Sequence, residues 1–96
     1  MPHIQRLDCS YCNLRVEGVR ALQPGLQSNR TLRELNLYSC RLDDASIRLI
    51  ADALAGNTTL QALDIGYNRF TSNGLDDITR LLESTHLSKI AIRWSI

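Results

Sequence analysis

Apolar residues return along this chain in one repeating unit. Ile4-x-x-Leu7-x-Cys9-x-x-Cys12-x-Leu14 comes back as Leu32-x-x-Leu35-x-Leu37-x-x-Cys40-x-Leu42, and again as Leu60-x-x-Leu63-x-Ile65-x-x-Asn68-x-Phe70. The step is 28 residues both times, and 27 residues later Leu87-x-x-Ile90-x-Ile92-x-x-Ser95 opens a further copy. Alternation at Leu35 and Leu37, and at Leu63 and Ile65, predicts short strands with one face buried. In the second half of the middle unit Ile47, Ile50, Ala51 and Leu54 fall at i, i+3, i+4 and i+7, which predicts a helix turning one stripe toward the strand. Asp43 and Asp44 stand before it as N-caps, and Gly56 and Asn57 end it. Leu75, Ile78 and Leu82 predict the same stripe in the third unit, with Asn73 and Asp76 at its start. In the first unit Val19, Leu22 and Leu26 keep the phase, but Pro24 and Gly25 lie inside the helix. An interior proline costs about 3 kcal/mol, so this helix is expected to stop early or kink.

This apolar order resembles the leucine-rich repeat, L-x-x-L-x-L-x-x-N/C-x-L. The 28-residue length with a helical second half resembles its ribonuclease-inhibitor-like subclass, shared by the sensor regions of NOD-like receptors and by the Ran GTPase-activating protein. The likeness divides a single domain, 1–96, into repeats 4–31, 32–59 and 60–86 and a partial repeat 87–96. It implies an α/β solenoid, a short horseshoe with parallel strands on the concave face and helices on the convex face. Neither end carries a polar cap, so the chain is expected to be a fragment of a longer array, or one whose ends are covered by self-association.

Charge narrows the partners. Eleven basic residues against ten acidic ones give a formal net charge of +1, which offers no sustained positive field for a phosphate backbone, and nucleic acid is not an expected partner. No apolar run reaches membrane-spanning length and the N-terminus lacks the apolar core of a secretory signal, so no membrane association is expected. Three cysteines are too few for a disulfide framework and favour a reducing, cytoplasmic setting.

Catalytic and metal motifs are missing from the chain: there is no G-x-S-x-G, no H-E-x-x-H and no phosphate-binding G-x-x-x-x-G-K. The chain is therefore read as no enzyme, with no cofactor. Cys9-Ser-Tyr-Cys12 has the spacing of half a zinc site, but no second pair completes it and His3 and His86 are isolated. All three cysteines are read as reduced, and Cys9 as a small buried hydrophobe. Cys12 and Cys40, on strands about 4.8 Å apart, lie within disulfide reach, and their oxidation is expected to destabilise the fold. Asn29-Arg30-Thr31 and Asn57-Thr58-Thr59 match the glycosylation sequon, but both recur at one repeat phase, which a helix-terminating asparagine explains.

Read as columns, the repeat positions separate structure from binding. The ninth position holds Cys12, Cys40, Asn68 and Ser95, a ladder expected to satisfy the backbone where each strand bends away. The seventh and eighth hold Ser10, Tyr38, Gly66 and Arg93, and Tyr11, Ser39, Tyr67 and Trp94. Every tyrosine and the one tryptophan thus fall in two columns. Tyrosine, tryptophan and arginine bury large area while keeping a polar tip, so Tyr11, Tyr38, Tyr67, Trp94 and Arg93 are the candidate binding patch. Sideways packing that stiffens the sheet would use the same residues. The fifth position runs Asp8, Asn36, Asp64 and Ala91. Asp8 and Asp64, two strands and about 9.6 Å apart, are too far to share one metal and read as a solvated ladder separated by Asn36. Arg6 and Glu34, at the third position, are expected to pair laterally for well under about 1 kcal/mol.

These readings converge on a non-enzymatic protein-interaction module that binds through its concave face and aromatic rim. The alternative is an enzyme regulator, either a GTPase activator or an inhibitor that plugs an active site. Four strands give a flat face on the order of 250 Å², well below the roughly 800 Å² per partner of a stable interface, so the rim has to contribute.

Overall fold

The computed structural model describes residues 4–85 and 87–91. Four strands of three residues each, β1 (Arg6–Asp8), β2 (Glu34–Asn36), β3 (Ala62–Asp64) and β4 (Lys89–Ala91), form one parallel sheet in chain order. Arg6, Glu34, Ala62 and Lys89 stand in register, as do Leu7, Leu35, Leu63 and Ile90. The sheet therefore keeps the step of the sequence repeat, 28, 28 and 27 residues. Each of the first three strands is followed by a helix on the opposite side: α1 (Arg15–Ser28), α2 (Asp44–Leu54) and α3 (Leu75–Ser84), the last preceded by a single 3₁₀ turn, Ser72–Gly74. The leucine-rich-repeat solenoid expected from the pattern is the fold.

The core lies between the two layers. Leu35, Leu37, Leu63 and Ile65 from the strand segments meet Ile47, Ile50, Ala51 and Leu54 from α2, each at most 2% exposed. Burying one such leucine or isoleucine side chain contributes roughly 1.5–3 kcal/mol, so the middle repeat, covered on both sides, holds the array. Its helix starts as the sequence predicts. Asp43 accepts the Ser46 N–H at 3.0 Å while the Ser46 hydroxyl accepts the Asp43 N–H at 3.3 Å, a reciprocal cap. The chain leaves α2 at Ala55 and turns through Gly56, whose φ of 75° favours glycine.

Two helix expectations are corrected. The first helix does not stop at Pro24 but runs to Ser28. Pro24 is exposed, and Leu26, 2% exposed, holds the chain after it against the core. In the third repeat Asn73 and Asp76 lie at the start as expected, in the 3₁₀ turn and the first turn of α3, and Thr71 caps that 3₁₀ turn: its hydroxyl accepts the Asn73 N–H at 3.2 Å and itself donates to Asp44, which also accepts the Thr71 N–H at 2.9 Å. The stripe of α3 is also different. Ile78 and Leu81 are buried, at 5% and 0%, whereas Leu75 and Leu82 are 55% and 44% exposed. These two occupy the columns of Ile47 and Leu54, which a following helix covers; among the described residues no helix follows α3.

The concave face and its rim as a candidate functional site

β1, β2 and β3 end in the same turn, and the fifth-position side chain builds it. Asp8, Asn36 and Asp64 accept the backbone N–H groups of Ser10, Tyr38 and Gly66 at 2.9, 3.0 and 2.9 Å. These are Asx turns, in which a short polar side chain replaces a backbone acceptor. Asp8 and Asp64 are thus more than the solvated ladder expected from the sequence: they fix where the rim begins. Hydrogen bonds from the Ser10 hydroxyl and then from its N–H hold the Asp8 carboxyl below the ordinary carboxylate value.

The residue directly after each of these N–H donors takes a left-handed backbone. Tyr11, Ser39 and Tyr67 have φ of 61°, 54° and 56°. Such a conformation costs a non-glycine residue on the order of 1–2 kcal/mol, and tyrosine has none of the local bonding that lets asparagine tolerate it. The turn aims both rings outward: Tyr11 is 76% exposed and Tyr67 58%. Tyr38, half-buried at the seventh position, lies between them. Its ring meets Tyr11 edge-on at 5.4 Å between centroids and Tyr67 at 5.6 Å with the planes tilted by 31°. Three repeats therefore contribute one continuous aromatic row.

Below the row, the concave floor is an open hollow of about 430 Å³ whose lining includes Arg6, Asp8, Glu34, Asn36, Asp64 and Lys89. Arg6 grips Glu34 through two nitrogens at 3.0 and 2.7 Å, with both side chains exposed; the pair is the lateral one expected from the register. Among the described residues no group of histidine, cysteine or carboxylate side chains could hold a metal ion.

The ninth-position ladder works between repeats, each residue serving the one before it. Asn68, 3% exposed, accepts the N–H groups of Cys40 and Leu42 at 2.9 and 3.0 Å and donates to the carbonyls of Leu37, Ile65 and Gly66 at 3.0, 2.9 and 3.1 Å. Cys40, fully buried, donates its thiol to the Cys9 carbonyl at 2.9 Å. Cys12, in the first repeat, is exposed, and Cys9, expected to be a small buried hydrophobe, is only half-buried. All three cysteines are free thiols.

Burial pushes the Cys40 thiol from about 9 up to about 11. Between those values the folded chain keeps a proton that the unfolded chain has released, so stability is level below about pH 9 and is lost as pH rises through about 11. Urea titrations across this range are expected to show that loss in the native chain and a flatter profile in Cys40→Ala. Equal slopes in both would show that Cys40 is not its source.

The remaining sequence candidates divide in two. Trp94, Arg93 and Ser95 lie outside the described residues. The sequon asparagines are occupied: Asn29 accepts the N–H groups of Thr31 and Leu32 at 2.9 and 2.6 Å, and Asn57 those of Thr59 and Leu60 at 2.9 and 2.7 Å. Asn29 caps the end of α1, and both asparagines bond the N–H groups that lead into the following strand segment.

A repeated strand, an Asx turn, an interior ladder and an outer helix define a solenoid of the leucine-rich class. The family profile described as Leucine Rich repeat matches residues 1–22, 28–51 and 56–78, and the chain belongs to that family. It is 31% identical over 90 residues to NACHT, LRR and PYD domains-containing protein 13 of Homo sapiens, covering 91% of this chain and 8% of that protein. It is 33% identical over 87 residues to the ribonuclease inhibitor of Sus scrofa, covering 90% of this chain and 19% of that one. The ribonuclease-inhibitor-like subclass is consistent with these relatives, of whose length the chain spans under a fifth. Among solved structures, Leiomodin-1 Actin-Binding Site 2 superposes with a TM-score of 0.84 at 22% identity, over 96% of this chain and 56% of that one, a likeness of fold. No helix among the described residues is long and apolar enough to cross a membrane.

Proposed function

We propose that this repeat array is a non-enzymatic protein-interaction module whose contact surface is the Tyr11, Tyr38 and Tyr67 row together with the concave floor. The observation that carries the reading is the placement of exposed tyrosines at left-handed positions. Stability alone favours glycine or asparagine there, and strained, exposed aromatic residues are the kind that interfaces use. Arg93 and Trp94 continue the two columns and belong to the same proposal, as do Arg6, Glu34, Asp8, Asn36 and Asp64 on the floor. The partner is read as a protein rather than nucleic acid or membrane. Obstruction of an enzyme's active site is one form such binding takes, and the likeness to a ribonuclease inhibitor supports including it.

The test is a Tyr11→Ala/Tyr67→Ala chain compared with the native one by thermal melting and by recovery of cross-linked partners. A ring contact is worth about 0.5–1.5 kcal/mol, so the melting temperature is expected to fall by only a few degrees while partner recovery is lost. Unchanged recovery with a large fall in melting temperature would assign the row to packing instead.

A further inference from the structure

The edge of the sheet where the strands begin, opposite the tyrosine row, holds a second open hollow, of about 260 Å³. Three successive repeats build it. Gln5, Arg33 and Gln61 stand one residue before β1, β2 and β3. The Gln5 carbonyl accepts the Arg33 and Glu34 N–H groups at 2.7 and 3.0 Å, and the Arg33 carbonyl those of Gln61 and Ala62 at 2.8 and 3.0 Å. The segments that lead into β2 and β3 add Arg30 and Thr31, and Thr58 and Thr59. Both segments are pinned, by the bonds of Asn29 and Asn57 and by the Thr31 hydroxyl, which donates to the Ile4 carbonyl at 2.8 Å.

Among the described residues no carboxylate lines this hollow, although two arginines do. Arg30 commits Nη1 to the carbonyls of Gln27 and Asn29 at 2.8 and 3.0 Å, which fixes the guanidinium and leaves Nε and Nη2 without a partner among the described residues. Arg33 is exposed and makes no side-chain hydrogen bond or ion pair there, since its neighbour Glu34 is taken by Arg6. A guanidinium offers a planar fork of donors that matches phosphate oxygens two at a time. Two such charges balance the roughly −1.5 to −2 of one phosphate monoester at pH 7; a carboxylate would leave one of them unmatched. A lipid surface draws on clusters of about 4–8 basic residues, more than this hollow holds. Arg33 directly precedes β2, whose Glu34 lines the concave floor, so a protein lying on that floor reaches the site.

We propose that this hollow binds a phosphorylated serine or threonine side chain of a protein partner. Arg30 and Arg33 take the phosphoryl oxygens, and the exposed side chains of Thr58, Gln5 and Gln61 supply neutral donors around them. The site lies at the other edge of the sheet from the tyrosine row and does not depend on it.

The test titrates the full chain with N-acetyl-phosphoserine methylamide and follows the arginine Nε–H resonances. The Arg30 and Arg33 signals are expected to move saturably while the other arginine signals stay, and the matching aspartate compound to bind at least about tenfold more weakly. Arg33→Gln is expected to weaken binding at least about tenfold with the melting temperature unchanged, because the native side chain makes no bond among the described residues. Arg33→Lys, which keeps the charge but loses the fork, is expected to fall between, and Tyr11→Ala/Tyr67→Ala to bind as the native chain does. Equal binding of the phosphoserine and aspartate compounds, equal movement of all arginine signals, or no saturable change would overturn the proposal. Inorganic phosphate binding at least about tenfold more tightly than the phosphoserine compound would also overturn it, since the ligand would then be the free ion. So would sedimentation with phosphatidylcholine vesicles carrying phosphatidylinositol phosphate that Arg33→Gln abolishes, since the source would then be a lipid headgroup.

Discussion

Replacing Asn68 with alanine is expected to destabilise the chain by about 4 kcal/mol, lowering the melting temperature by more than about 15 °C. The side chain serves two N–H groups of the preceding repeat and three carbonyls divided between both repeats. Alanine leaves all five without that partner in a site that is 3% exposed for the asparagine itself. Each unsatisfied buried group costs roughly 1–3 kcal/mol, reduced where relaxation or an entering water restores a bond. Because the bonds run from the third repeat into the second, the loss falls on coupling between repeats, the term that holds a solenoid together. Asn68→Cys is expected to lie between native and alanine, since Cys40 fills the same column with a thiol bonded to the preceding repeat. Urea unfolding of the three chains measures the order. An Asn68→Ala loss below about 1 kcal/mol would mean that solvent satisfies the turn and that the ladder is dispensable.

The repeat made most of this fold legible before any coordinate. Register, strand order and the faces of α2 follow from a 28-residue step, because a strand that pairs with its own copy inherits the spacing of the copies. What escaped detection depends on neighbours rather than on the unit. The motif treats Cys12, Cys40 and Asn68 alike, yet Cys12 is exposed while Cys40 and Asn68 are buried and bonded to the repeat before them. Leu75 and Leu82 read as core because the same columns are buried in α1 and α2. The tyrosine columns were visible as columns, but the left-handed backbone beneath Tyr11 and Tyr67 was not, because neither residue type favours it. The Asx turns of Asp8, Asn36 and Asp64 were within reach: a short polar side chain two residues before a bend is their signature.

One repeat column therefore contains its own control. Leu54→Ala is expected to cost about 3 kcal/mol, within the range for a leucine truncated in a closed core, because its side chain is 1% exposed between α2 and its successor. Leu82→Ala removes the same atoms at the same repeat position from a residue 44% exposed, and is expected to cost less than about 1 kcal/mol. The same residue type and repeat position hold local propensity nearly constant, so the difference isolates what the following helix contributes. Urea midpoints with unchanged slopes give both numbers in one series. A Leu82→Ala loss as large as that of Leu54→Ala would mean that the face of α3 is already covered in solution. Repeating the series at tenfold higher chain concentration then identifies the cover, because burial by a second copy makes the Leu82 effect grow with concentration, whereas burial within one chain does not.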